Sequence, residues 1–222
     1  MKLGVLFSGG KDSTYAAYLA KMRGYTLSCL ISMVSKNEDS YMFHTPSIRK
    51  VSAMADAMDI PLMMKDTLGE KELELKDLRA VILEAKEKYK IKGIVTGAVG
   101  SVYQATRVEK ICFELGLYCF NPLWLKNQRE LLEEIIKEGF EVIIVGAFAY
   151  PLEKDFLGRK IDEDFLVEME TLRKKYDVNV AGEGGEYESL VLNCPLFKKG
   201  LNVKGYEDFG EGHSWRREVE LE

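Results

Sequence analysis

Histidine, tryptophan, cysteine and proline are all scarce, at two, two, four and five residues in a chain of 222. Cys29, Cys112, Cys119 and Cys194 lie far apart with no C-x-x-C pair, which argues against both a disulfide framework and a zinc ribbon. Reduced, buried thiols in a cytoplasmic protein are expected. His44 and His213 add no ligand spacing that would rescue a zinc site. No run reaches the roughly 18 apolar residues of a membrane span, and no secretory leader pattern opens the chain. A basic block is missing too. The 31 Lys and Arg are interleaved with 36 Asp and Glu for a net charge of −5, which argues against binding along a nucleic-acid backbone.

What the sequence does contain is the material of a packed core, at 46% hydrophobic and 30% charged residues. The length favours a core domain with an appended one. "KLGVLF", "YTLSCLISMV", "IPLMMKDT" and "GIVTGAV" read as strands. Between them, "STYAAYLAKMRG", "SIRKVSAMADAMD" (started by Ser47) and "LELKDLRAVILEAKEKYK" carry helical periodicity. In the third helix Leu75, Leu78, Ile82 and Ala85 fall at 3–4 spacing. Strands alternating with helices predict a parallel, doubly wound α/β sheet over residues 1–120, with its ligand at the carboxyl ends of the strands. Past Asn121-Pro122 the rhythm changes: helix, strand, a long amphipathic helix, a Gly/Glu segment and terminal antiparallel strands. Residues 121–222 are expected to form a smaller α+β domain.

The most informative stretch is "FSGGKDST", residues 7–14, placed between the first strand and the first helix. Gly9 and Gly10 let the backbone turn tightly and approach an anion, and the following helix N-terminus adds partial positive charge. Ser8 and Ser13 offer hydroxyls and Lys11 a point charge. Asp12 beside a phosphate site reads as a Mg²⁺ ligand or as a helix cap. The spacing is neither the G-x-x-x-x-G-K-[ST] loop nor G-x-G-x-x-G.

"SGGKDS" resembles the pyrophosphate-binding loop of the N-type ATP pyrophosphatases, the PP-loop superfamily. Further segments are similar to the diphthine–ammonia ligase family: "EDSYMFHT" (38–45), "SVYQATRVEKICFELGL" (101–117), "PLW" (122–124), "LGRKID" (157–162) and "GEGGEYESLVLNCPLF" (182–197). Val102 and Asn193 depart from that family's usual acidic residues. The resemblance implies an adenine nucleotide α-hydrolase (HUP) type of fold and ATP with Mg²⁺ as cofactors. The implied reaction is amidation of diphthine on translation elongation factor 2 by ammonium, giving diphthamide, AMP and pyrophosphate. No cysteine glutaminase pattern stands at the N-terminus, so free ammonium is the expected nitrogen source. Neither a membrane nor a nucleic acid is an expected partner, and a homo-oligomer is compatible with the sequence.

The same resemblance implies a division of roles. Ser8, Gly9, Gly10, Lys11, Asp12 and Ser13 hold the nucleotide phosphates, with Lys11, Asp12 and Arg107 acting in catalysis and Asp12 as the metal ligand. Ser32 and Met33 close the second strand where related folds hold adenine by backbone contacts, although Met33 reads equally as core. Gly97 ends "GIVTG" beside the cleft or is a plain turn glycine. Tyr103, Gln104, Arg107 and Glu109 open the next helix, positions 103 and 107 sharing a face, with Arg107 suited to an oxyanion. Glu183, Glu186 and Glu188, crowded among Gly182, Gly184 and Gly185, call for a cation: the substrate's quaternary ammonium, ammonium itself or Mg²⁺. Tyr187 can add a cation–π face. A different amidating or tRNA-modifying enzyme of this class would carry a basic face or paired catalytic cysteines. A non-enzymatic nucleotide sensor would need no loop like 182–188.

Overall fold

A computed structural model of the chain describes residues 1–35, 48–67 and 73–222. The whole segment 38–45, with His44, and the helix start at Ser47 lie outside the described residues. The chain divides into two compact units, Met1–Trp124 and Leu125–Glu222.

Among the described residues the first unit is built on five strands: β1 Lys2–Leu6, β2 Thr26–Ser35, β3 Leu62–Thr67, β4 Gly93–Val95 and β5 Tyr118–Phe120. They pair in parallel in the order β3-β2-β1-β4-β5. Four helices connect them: α1 Lys11–Met22, α2 Ile48–Met58, α3 Leu73–Tyr89 and α4 Val102–Glu114. Strands buried on both faces have no room for polar alternation, and Leu3, Gly4 and Val5 of β1 are accordingly all buried. Right-handed crossovers send α1 and α2 to one face and α3 and α4 to the other. On the latter face Leu78, Ile82 and Ala85 of α3 and Val108, Ile111 and Cys112 of α4 close over Cys29, Ile31, Met33 and Ile94. Full burial of a side chain the size of Leu78 or Ile82 stabilises by about 1.5–3 kcal/mol. Two elements differ from the sequence reading. "GIVTGAV" is extended only through Val95, and β5 is a strand that three residues could not announce as a pattern.

Because β2 and β3 lie on one side of β1 and β4 and β5 on the other, the chain reverses direction between β1 and β4. The loops leaving those two adjacent strands share the carboxyl edge of the sheet, where such folds place ligands.

The second unit has two helices, α5 Gln128–Lys137 and α6 Glu163–Tyr176, and four strands. These are β6 Glu141–Ala147, β7 Tyr187–Asn193, β8 Val203–Glu211 and β9 Ser214–Leu221. The sheet is antiparallel in the order β7-β6-β9-β8. Asn127 caps α5 by accepting from Arg129 N and Glu130 N, and Asp162 caps α6 by accepting from Phe165 N. Leu131, Leu132, Ile135, Phe165 and Met169 are the buried sides of these helices. Among the described residues no helix is long and apolar enough to cross a membrane.

In the β8–β9 hairpin, Arg217 donates two parallel bonds to Asp208, at 2.7 and 2.9 Å, and its guanidinium holds that carboxyl below its ordinary value. Stability from the pair is therefore present above the ordinary carboxylate value of about 4. It is lost as pH falls through the lowered folded value. Asp208→Asn should flatten the acid limb of a urea-midpoint against pH curve; an unchanged limb would remove the pair from the hairpin's stability.

Candidate functional site

The loop after β1 is shaped by its glycines and stapled by its serines. Gly9 has φ +81°, and a Cβ there would also stand 2.9 Å from Met54 Sδ on α2. Gly10 is the N-cap of α1 and brings no side-chain cap, so the first-turn N–H groups open onto the loop. Ser13 Oγ accepts from Ser8 N at 3.3 Å, lies 3.1 Å from Ser8 Oγ and donates to Gly10 O at 3.2 Å. Both hydroxyls are thus engaged within the loop, and they hold its curvature. Lys11 is 3% exposed, with Nζ donating to Asp12 Oδ2 at 2.8 Å. Asp12 Oδ1 is buried and has no hydrogen-bond partner.

Gly97, just past β4, lies against this loop. A Cβ on Gly97 would stand 2.8 Å from Asp12 C and O and from Ser13 N. Ser32 and Met33 lie in β2, both buried, with the Met33 side chain in the core. The Met33 backbone is placed differently. β1 ends at Leu6 opposite Ile31, whose carbonyl accepts from Phe7 N at 2.9 Å. By strand alternation Met33 turns its N–H and C=O to the same side as Ile31, past the end of β1.

On α4, begun by Ser101 accepting from Gln104 N, the Arg107 guanidinium stacks 3.3 Å over the Tyr103 ring and Nη1 donates to Tyr103 O at 3.4 Å. Arg107 Nε is buried without a hydrogen-bond partner. Glu109 is exposed two residues further round the helix, away from the Tyr103–Arg107 face. Its charge adds to what keeps the Cys112 thiol protonated, after the hydrogen bond with Cys119 and burial. Burial likewise pushes Cys29 up to about 12 and Cys194 to about 11, so neither is a thiolate at neutral pH.

In the second unit, residues 179–188 are braced by their own side chains. Glu186 Oε1 accepts from Asn179 N and Oε2 from Gly184 N, each at 2.9 Å. Asn179 Oδ1 accepts from Ala181 N and Glu183 N, at 3.2 and 3.1 Å. Tyr187 is buried, its ring edge-on to Phe165 and packed under Gly182, with its hydroxyl donating to Val180 O at 3.0 Å. These contacts correct two expectations. Tyr187 has no open ring face for a cation, because the fold uses the ring as core, and each oxygen of the Glu186 carboxylate is first tied to one of the loop's own amides. Glu183 and Glu188 are half-buried, and Gly184 and Gly185 form the exposed tip. No group of three or more metal-ligating side chains occurs among the described residues, so the three glutamates do not make a metal site by themselves. A cavity of about 630 Å³ opens beside Asn179 and Val180, lined also by Arg129, Arg173, Glu170 and Asp177.

Residues 1–119 match the diphthamide synthase N-terminal domain and residues 127–219 the diphthamide synthase C-terminal domain. The chain is 37% identical to the diphthine–ammonia ligase of Bos taurus, across 93% of this chain and 84% of that one. It belongs to the diphthine–ammonia ligase family. The Homo sapiens diphthine–ammonia ligase is 36% identical over the same shares of the two chains. Among solved structures, a predicted subunit of tRNA methyltransferase from Methanocaldococcus jannaschii is similar with a TM-score of 0.46 and 16% identity, covering 88% of this chain and 98% of that one.

For this diphthine–ammonia ligase relative, the sequence reading passed over Asn179, which organises the glutamate loop. An Asn three positions before the first of several glycines is a recognisable Asx-turn signal. Thr14 was also passed over; its Oγ1 donates to Gly10 O at 2.9 Å, bonding back to the residue four earlier as helix-start threonines do.

Proposed function

We propose that this chain is an ATP-dependent carbon–nitrogen ligase that converts diphthine to diphthamide with ammonium, releasing AMP and pyrophosphate. The diphthine-bearing protein we propose is translation elongation factor 2, acted on in the cytoplasm. One observation carries the reading besides family membership: the uncapped start of α1, wrapped by a left-handed Gly9 and flanked by Lys11, opens at the switch point of a parallel sheet, a geometry suited to an anion.

A carboxylate does not react with ammonia in water, because resonance and negative charge repel the nucleophile. Attack of the diphthine carboxylate on the α-phosphorus of ATP expels pyrophosphate and leaves a mixed anhydride, whose carbonyl carbon ammonia then takes with loss of AMP. Lys11 and the first-turn amides of α1 would hold the departing pyrophosphate, a task of positioning and charge stabilisation. The Met33 peptide edge would meet adenine. Arg107, with Nε unsatisfied and its plane fixed on Tyr103, suits a carboxylate or α-phosphate oxygen. Asp12 Oδ1 fits a magnesium ion, being a buried carboxylate oxygen without a hydrogen-bond partner, and Mg²⁺ bound there would neutralise phosphate charge. In the second unit, Glu183 and Glu188 would supply negative charge to the trimethylammonium group or to ammonium.

The deciding experiment incubates the protein with radiolabelled ATP, Mg²⁺, ammonium and diphthine-bearing elongation factor 2. AMP, pyrophosphate and the small mass decrease from acid to amide should appear only when all components are present. ADP in place of AMP would overturn the reading.

Gly97→Ala tests the cradle directly. Its methyl group would press on backbone atoms of Asp12 and Ser13 that cannot shift without reshaping the loop. An overlap costing about 1–3 kcal/mol should weaken ATP binding about tenfold or more, read by calorimetric titration. Wild-type affinity would detach the β4 turn from the nucleotide.

A further inference from the structure

Asn121 follows β5 directly, at the edge of the sheet next to β4. With its amide nitrogen turned inward, it donates to Ala98 O at 2.9 Å and to Thr96 O at 3.1 Å. The reverse orientation would face an amide oxygen against two carbonyl oxygens, so the nitrogen must be the inward atom. Those carbonyls flank Gly97. Thr96 and Ala98 are each 6% exposed, so water is a poor substitute partner for them. The ladder reinforces the link, with Thr96 N donating to Phe120 O at 3.0 Å.

The far side of the same turn is the surface on which the nucleotide loop rests, since Gly97 leaves no space for a methyl group against the Asp12–Ser13 backbone. From there Ser13 Oγ reaches Ser8 N. A continuous set of contacts thus runs from the Asn121 amide through residues 96–98 to both ends of the anion cradle. Every contact Asn121 makes in it is to backbone, and its requirement is two N–H donors on one atom. Among side chains of this size only a primary amide provides that.

We infer that Asn121 is a positioning residue for the nucleotide loop, setting the curvature of residues 8–13 through the 96–98 turn. The inference rests on the reading of that loop as the ATP site. Asn121 touches no phosphate in this scheme; it fixes the surface against which the loop is formed.

The test compares Asn121→Ser, Asn121→Ala and Asn121→Asp in the full chain. If the two donors matter, harm should rise in that order: serine keeps one donor, alanine none, and aspartate, though isosteric, sets oxygens against two carbonyls. Asn121→Ala should raise the KM for ATP about tenfold with kcat close to wild type. A residue that only filled space would make the isosteric aspartate the mildest change, with serine and then alanine worse, and that result would overturn the inference. Amide hydrogen exchange of residues 8–14 supplies a readout independent of turnover. Faster exchange there in Asn121→Ala, at an unchanged global melting temperature, supports the link, and unchanged exchange overturns it. Should the wild-type protein fail to bind ATP, the functional reading falls while the exchange experiment still decides the role of Asn121. Should Asn121→Asp not fold, the hydrogen-exchange comparison of Asn121→Ala with the wild type decides.

Discussion

Lys11→Ala should lower AMP formation by about 10³-fold, the scale expected for removing a preorganised charge from a developing anion. The effect has two sources. The variant loses the cation nearest the cradle, and it leaves the Asp12 carboxylate, now held at 2.8 Å by Lys11 Nζ, without its counter-charge beside a bound anion. Repulsion between that carboxylate and the phosphates then adds to the missing attraction. Asp12 keeps a quarter of its side chain open, at 25% exposure, so water can take up the stranded charge and the fold should survive. Lys11→Met, which refills the buried stem, separates packing from charge. Release of labelled AMP with a parallel thermal melt checks both. Wild-type turnover in either variant would remove residues 8–13 from catalysis.

Glu186→Ala should lower diphthamide formation about 100-fold, a loss of about 2.7 kcal/mol, with ATP binding unchanged. The size follows from what the carboxylate holds: one oxygen on Asn179 N and the other on Gly184 N, each at 2.9 Å. Hydrogen bonds to a charged group contribute about 1.5–3 kcal/mol each. Losing both releases the turn that carries Glu183 and the exposed Gly184–Gly185 tip. Glu186→Gln should fall between, since its carbonyl keeps one acceptor while its NH₂ meets an N–H. The measurement is product mass on elongation factor 2 at saturating ATP, with nucleotide affinity titrated separately. An equal loss of ATP affinity would overturn the assignment of the two units to nucleotide and substrate.

How far each of these features could be read from the chain varies with how local it is. The "SGGKDS" loop was legible because everything it needs is contiguous: a strand end, two glycines and a helix start. The glutamate segment was legible as a site-like anomaly, yet its inner arrangement was not. Nothing in "GEGGEYE" says that Glu186 folds back on the Asn179 and Gly184 amides or that Tyr187 turns under Phe165. The sequence treats the three glutamates as equivalent; their backbone surroundings separate them. Arg107 shares a helix face with Tyr103, whereas Glu109, only two positions on, points elsewhere because a helix turns 100° per residue.

The chain by itself determined the alternation of strands and helices, the glycine-rich entry into α1, the change of architecture beyond Asn121 and the family to which all of this belongs. These are short-range properties, carried by apolar periodicity and by residues with unusual backbone freedom. Only the tertiary structure decided that β4 pairs with β1, and with it that Gly97 backs onto Asp12 and Ser13 and that Asn121 holds the turn between them. Strand order in a sheet is set by which buried faces fit together across long separations in the chain. No local pattern encodes it, so the contacts that depend on it appear only once the sheet has closed.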